Sequence, residues 1–264
     1  MKKTFFTLLT MVVLFTGCDK DDNDEYNDPI PTIQSTVVKA AGNVDNLNPA
    51  LAQFRAILGD PLNTTPNQAA GRREVNWDGV AAALTNNNNF PVDFFNNTDP
   101  AGPNGRKRGL LYLDASVPLR VDSSNFREIN PGYEDELVPF SNKRSIIAAN
   151  SIHSDVVFRL AGTTTDAAVK GFGIVFLDVD DANSTSLEFF NGNKNLGTFK
   201  APARTNAGSF SFLGVHFPQE KITRVRIKAG SAVLSAVNND ISDGGSHDIV
   251  AFDDVFYDEP KANL

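Results

Sequence analysis

The 264 residues are 41% hydrophobic and 21% charged, with 19 glycines and 14 prolines, a composition that can build a substantial core and excludes a disordered or collagen-like chain. A formal net charge of −8 without a basic stripe argues against nucleic acid as a partner, because phosphate neutralisation needs grouped Lys and Arg. The single cysteine excludes a disulfide within the monomer.

At the amino terminus, Met1-Lys2-Lys3 precedes an apolar run from Thr4 to Phe15 and the small-residue stretch Thr16-Gly17-Cys18. This is the pattern of a signal peptide, expected over residues 1–17, and the run is shorter than the roughly 20 residues a spanning helix needs. The segment Leu14-Phe15-Thr16-Gly17-Cys18 resembles the lipobox of bacterial lipoproteins. That resemblance implies a lipid on Cys18, hence a membrane partner through the anchor, and an outer-membrane address. Asp19-Lys20-Asp21-Asp22-Asn23-Asp24-Glu25 cannot bury itself and reads as part of a flexible acidic tether over residues 18–45. Such acid blocks after the lipidated cysteine resemble the export signals of Bacteroidetes-type surface lipoproteins, which implies exposure at the cell surface. A plain spacer at the periplasmic face is the alternative.

A single folded domain is expected over residues 46–260. Its one helix is signalled by Asn48 as cap, Pro49 in the first turn, Leu51, Phe54, Ile57 and Leu58 on one face, and Gly59-Asp60-Pro61 as the stop. Polar, Asn- and Pro-rich stretches at 61–70 and 85–106 read as loops. From Gly109 onward, short β-rich runs recur: Leu110–Leu113, Val117–Val121, Val156–Leu160, Gly171–Leu177, Ser186–Phe190, Gly197–Lys200, Phe210–Phe217, Ile222–Lys228 and Ile249–Tyr257. That cadence, with 20 phenylalanines to fill an inter-sheet core, predicts an all-β, jelly-roll-like β-sandwich with one short N-terminal helix. The alternation Ile222-Thr223-Arg224-Val225-Arg226-Ile227-Lys228 marks a strand with one face in water.

The stretch Gly71-Arg72-Arg73-Glu74-Val75-Asn76-Trp77-Asp78-Gly79-Val80 is distinctive, as are Arg108-Gly109, Gly171-Phe172-Gly173, Asp178-Val179-Asp180, Phe212-Leu213-Gly214-Val215, Arg224-Val225-Arg226-Ile227 and Asp248-Ile249-Val250 leading to Asp253-Asp254. Together these resemble an exported bacterial lipoprotein family of unassigned activity. The resemblance covers most of residues 46–260 and implies one sandwich similar to the jelly rolls of carbohydrate-binding modules.

In sandwiches of that kind a calcium ion often ties an early strand to the last one. The resemblance therefore makes Asp78 with Asp253 or Asp254 the candidate ligands of a structural Ca2+, whose oxygens sit at about 2.3–2.6 Å. Ordinary hydrogen bonding to loop amides is the alternative. Adjacent strand residues face opposite ways, so Asp253 and Asp254 both point inward only across a bulge. Asp178 and Asp180 are a second candidate metal pair. Asp178-Val179-Asp180-Asp181-Ala182-Asn183 fails the EF-hand pattern, having Asn183 at the sixth position, and also reads as an Asx turn. Arg72 and Arg73 read as ligand-binding candidates or as one partner of a buried ion pair with Glu74 or an aspartate. Trp77 reads as a sugar-stacking platform or as core.

No nucleophile elbow, zinc-protease motif or phosphate-binding loop occurs, and His153, His216 and His247 stand apart. The leading expectation is a lipid-anchored, non-catalytic binding module of the cell envelope, for glycan, framed by the loops at 85–106 and 236–247. A structural or adhesive surface-layer component that binds protein partners is the rival reading. A carbohydrate hydrolase, which needs two convergent carboxyls, is the third.

Overall fold

The computed structural model describes residues 33–262 apart from Asn238; the expected signal peptide, Cys18 and the acid block lie outside the described residues. In chain order the elements are β1 (Thr36–Gly42), α1 (Val44–Leu58), β2 (Arg72–Val75), β3 (Leu110–Tyr112), β4 (Leu119–Asp122), β5 (Ser145–Ala148), β6 (His153–Arg159), β7 (Asp166–Ala168), β8 (Gly171–Leu177), β9 (Ser186–Asn191), β10 (Lys194–Lys200), β11 (Phe210–His216), β12 (Arg224–Lys228), β13 (Ala251–Asp258) and β14 (Lys261–Ala262). They form two seven-stranded antiparallel sheets, so the chain is an all-β sandwich with one helix near its start. The first sheet runs β1-β11-β8-β13-β5-β4, with β2 also on β13; the second runs β10-β9-β12-β6-β7-β14, with β3 also on β6. Among the described residues no helix is long and apolar enough to cross a membrane.

Period-two alternation sorts the side chains into two cores. Along β8, Phe172, Ile174 and Phe176 enter the space between the sheets, where they meet Leu187, Phe189, Val225 and Ile227 of the second sheet. Val175 and Leu177 point the other way, onto a second core closed by Leu47, Leu51, Phe54 and Leu58 of α1. The first sheet is thus covered on both faces, which is why β8 is buried throughout and reads as a continuous apolar run. The second sheet has a wet outer face. There Arg224 and Arg226 of β12 both grip Asp155 of β6, at 2.9 and 2.8 Å.

Close approach of α1 to the sheet depends on two glycines that pair across β8 and β11, Gly173 and Gly214. A Cβ on either would lie 2.7 Å from the Phe54 ring. Phe54 and Phe212 then meet edge to face at 5.5 Å.

The structure alters two expectations near the start of the fold. The helix begins at Val44 rather than after Asn48, because Asn43 and Asn46 form a reciprocal capping box. Pro49 falls inside the helix, where it forgoes the bond to the Asp45 carbonyl. The residues upstream, assigned to a tether through 45, include β1, which pairs with β11 along its whole length and buries Val38.

Candidate functional site

β2 lies against the end of β13, pairing Val75 with Val255 and Arg73 with Tyr257. The chain then turns through Asn76-Trp77-Asp78-Gly79, closed by the bond from the Val80 amide to the Trp77 carbonyl at 3.0 Å. Trp77 pins this turn. Its ring is fully buried between Phe95 and Phe252, edge to face with both at 6.2 and 6.1 Å. It therefore belongs to the core and presents no face to a sugar. Asn76 and Gly79 beside it are exposed.

Opposite this turn, the segment 90–108 is built on an aromatic stack. Phe90 and Phe94 are 4.8 Å apart, Phe94 and Phe95 5.0 Å. The Arg106 guanidinium lies 4.2 Å above the Phe94 ring. Lys107 is buried and donates to the Pro100 carbonyl, while Arg108 donates to the Asn63 carbonyl at 2.7 Å. The basic run 106–108 thus braces the loop.

Between the turn and the loop opens a cleft of about 500 Å3. Val75, Val80, Phe94 and Phe95 supply its apolar wall; Glu74, Asn76, Arg106 and Arg108 supply its polar groups. Burial alone would raise the Glu74 carboxyl, but hydrogen bonds from Arg55 and Arg72 outweigh it and hold Glu74 below the ordinary carboxylate range. Glu74 is therefore a fixed anion at the cleft. An apolar wall with a few oriented polar groups is the usual make-up of a small-ligand site. The 236–247 loop contributes nothing to this lining.

Arg72 and Arg73 are both engaged internally. Arg72 bonds Glu74 at 2.8 Å and also reaches Asp60. Arg73 is wholly buried and pairs with Glu259 at 2.7 Å, so neither arginine is a free ligand clamp.

Behind the turn, Asp253 and Asp254 both feel the charge of Asp78, although the three are not among the carboxylate groups whose oxygens lie within 4.8 Å of one another. A register shift between Phe252 and Val255 is the bulge that lets Asp253 and Asp254 both turn inward. Asp253 is fully buried and accepts from the Ser141 amide at 2.8 Å. Burial, then the charge of Asp254, pushes the Asp253 carboxyl up; burial likewise raises Asp254, and both feel Asp78. Oδ1 of Asp78 and Oδ1 of Asp254 are buried without a hydrogen-bond partner. Uncompensated buried carboxylate oxygens are uncommon, and a hard cation is the partner they suit.

Asp178 and Asp180 form another group at the end of β8. Asp178 takes φ of 65°, a region that non-glycine residues rarely adopt, and Arg204 reaches Asp178 and Asp180 at 2.5 Å each. Burial, opposed by Arg204, pushes the Asp178 carboxyl up to about 8. The following residues make the Asx turn: Asp181 Oδ1 accepts from the Asn183 amide at 2.9 Å.

Sequence reasoning missed Glu74, Phe94, Arg106 and Arg108 as neighbours of Asn76. The cluster Phe90-Pro91-Val92-Asp93-Phe94-Phe95 inside an otherwise polar loop was the available signal. Comparison with known proteins finds no matching family, no matching curated protein and no matching solved structure.

Proposed function

We propose that this chain is a lipid-anchored, non-catalytic binding module of the outer membrane, held by a lipid on Cys18 and exposed at the cell surface, that takes a glycan in the cleft beside β2. The observation that carries the reading is the cleft itself, with an apolar wall at Phe94 and Phe95 facing the hydrogen-bonding groups of Asn76, Glu74 and Arg108. Pyranose rings present an apolar face and a hydroxyl rim, and such a wall with oriented polar groups complements both. A structural Ca2+ on Asp78, Asp253 and Asp254 belongs to the same reading. It would fix the Asn76–Gly79 turn from behind, which couples the ion to the cleft.

Polysaccharide pull-down and a glycan array, each with and without chelator, test the proposal. Retention is expected on at least one glycan, falling about tenfold in Asn76→Ala or Phe94→Ala, as loss of one good contact implies. No retention on any glycan refutes the recognition claim. For the ion, calcium at about 100 times Kd would stabilise the fold by about 2.7 kcal/mol, roughly 5–11 °C in Tm. Asp254→Asn is expected to abolish that increment; an unaltered protein whose melting ignores calcium would remove the ion from the scheme.

A further inference from the structure

The loop before β13 leads away from the cleft to a different place, the end of β8. There, the oxygens of Glu136, Asp178 and Asp240 all lie within 4.8 Å of one another, and all three side chains are buried. Asp240 forms a second such group with Asp180 and Asp248. One guanidinium, Arg204, reaches into the group and pairs with Asp178 and Asp180. Among the described residues, a single cation, Arg204, pairs within a group of five carboxylates.

Most of these oxygens have donors. Asp240 accepts from the Ser242 amide at 3.1 Å and the Ile249 amide at 2.6 Å, and Asp248 accepts from the Asp181 amide at 3.0 Å. Glu136 is served by the Ser242 side chain alone. Its side chain is only 8% exposed, and its Oε2 has no hydrogen-bond partner. Among the described residues, Oε2 of Glu136 thus finds no proton donor, although burying a carboxylate oxygen without a partner is costly.

The spacing suits a metal. Ligands at about 2.3–2.6 Å from Ca2+ lie no more than about 5 Å apart across the ion, so oxygens within 4.8 Å of one another can share one. Each of the three carboxylates comes from a different segment. Asp178 follows β8, Asp240 sits in the loop before β13, and Glu136 caps the 3-10 turn Pro131–Asp135.

We propose that Glu136, Asp178 and Asp240 bind a divalent cation of calcium's size, which staples the 3-10 turn and the 240–248 loop to the end of β8. This site is independent of the glycan cleft and of the ion assigned to Asp78, Asp253 and Asp254.

The test is calcium titration calorimetry of the full chain after EDTA treatment, comparing the unaltered protein with Glu136→Gln and Asp254→Asn. Glu136→Gln keeps the size of the side chain and removes its charge. It is expected to lose one bound calcium or to weaken it by about tenfold or more, as loss of one anionic ligand implies, while Asp254→Asn retains that calcium. Calcium uptake by Glu136→Gln equal to that of the unaltered protein would overturn the site. Loss of calcium only in Asp254→Asn would also overturn it, leaving the ion behind the cleft intact. Should Glu136→Gln fail to fold, terbium replaces the variant. Tyr133, which donates to the Ser235 carbonyl at 2.8 Å and feels the charge of Asp240, is placed to sensitise an ion here. Terbium emission that falls in Tyr133→Phe supports the site; emission unchanged by that substitution refutes it.

Discussion

Glu259→Ala offers the sharpest test of how the β2 edge is held. Arg73 is fully buried, with Nη2 2.7 Å from Glu259 Oε1 and 2.9 Å from the Thr65 carbonyl, and its Nε has no partner. Glu259 is 3% exposed and receives a second bond from Asn63 Nδ2 at 2.8 Å. Removing the carboxylate leaves a guanidinium in a dry site with carbonyl oxygens alone, and breaking one side of such a pair costs about 3–5 kcal/mol. At about 2–4 °C per kcal/mol for a fold of this size, Tm should fall by roughly 6–20 °C. Removing both charges in Arg73→Met/Glu259→Leu should recover most of that loss, since an apolar pair needs no counterion. Urea unfolding of the single and double variants gives the coupling directly. A loss under about 1 kcal/mol in Glu259→Ala, or a double variant as unstable as the sum of the two singles, would show that the pair is not what ties this edge together.

Gly214→Ala forces a methyl group against Phe54, whose ring lies 2.7 Å from the ideal Cβ position. It should destabilise the fold by about 1–3 kcal/mol, and far less in a Phe54→Ala background; equal costs in both would dismiss the helix contact as the cause. Asp258 accepts from the Lys170 and Gly171 amides at 2.7 and 2.8 Å, yet burial pushes its carboxyl up to about 6. The folded protein then holds this proton longer than the unfolded chain, whose value is about 3.9, so stability declines as pH rises from about 4 to 6 and is level above. Asp258→Asn should flatten that part of the Tm–pH curve, and an unchanged slope would assign it to other groups. Cys18→Ser should abolish incorporation of labelled fatty acid; labelling that persists would discard the anchor.

The second half of the fold was largely legible because its strands alternate or run apolar without interruption. Gly171–Leu177 is found as expected, and Phe210–Phe217 and Ser186–Phe190 shift by one residue at an end. β1 was hidden because Thr36–Gly42 carries Lys39, holds few large apolar residues and was read together with the acidic stretch before it. Pro49 drew the helix start forward, since proline favours a first turn, whereas the capping box at Asn43 and Asn46 lacks the commoner Glu or Gln. The carboxylates at 253 and 254 were visible, but the bulge that turns both inward is a pairing irregularity with no local sequence mark. Glu136 and Asp240 were invisible as partners of Asp178 for a similar reason: three loops far apart in the chain bring them together.

Because α1 and the 126–140 segment together cover the outer surface of one sheet, the sandwich has a closed back and an open front. The broad pleated surface left facing solvent carries the Arg224–Asp155–Arg226 lattice, with Glu188 registered opposite Arg226 on the neighbouring strand. A flat macromolecule approaching from that side meets interlocked charges of both signs and no continuous grease, so adhesion there would weaken in salt. In the proposed binding role, docking would fall to the rims, where the turns and loops sit, so that the molecule engages its surroundings end-on rather than broadside.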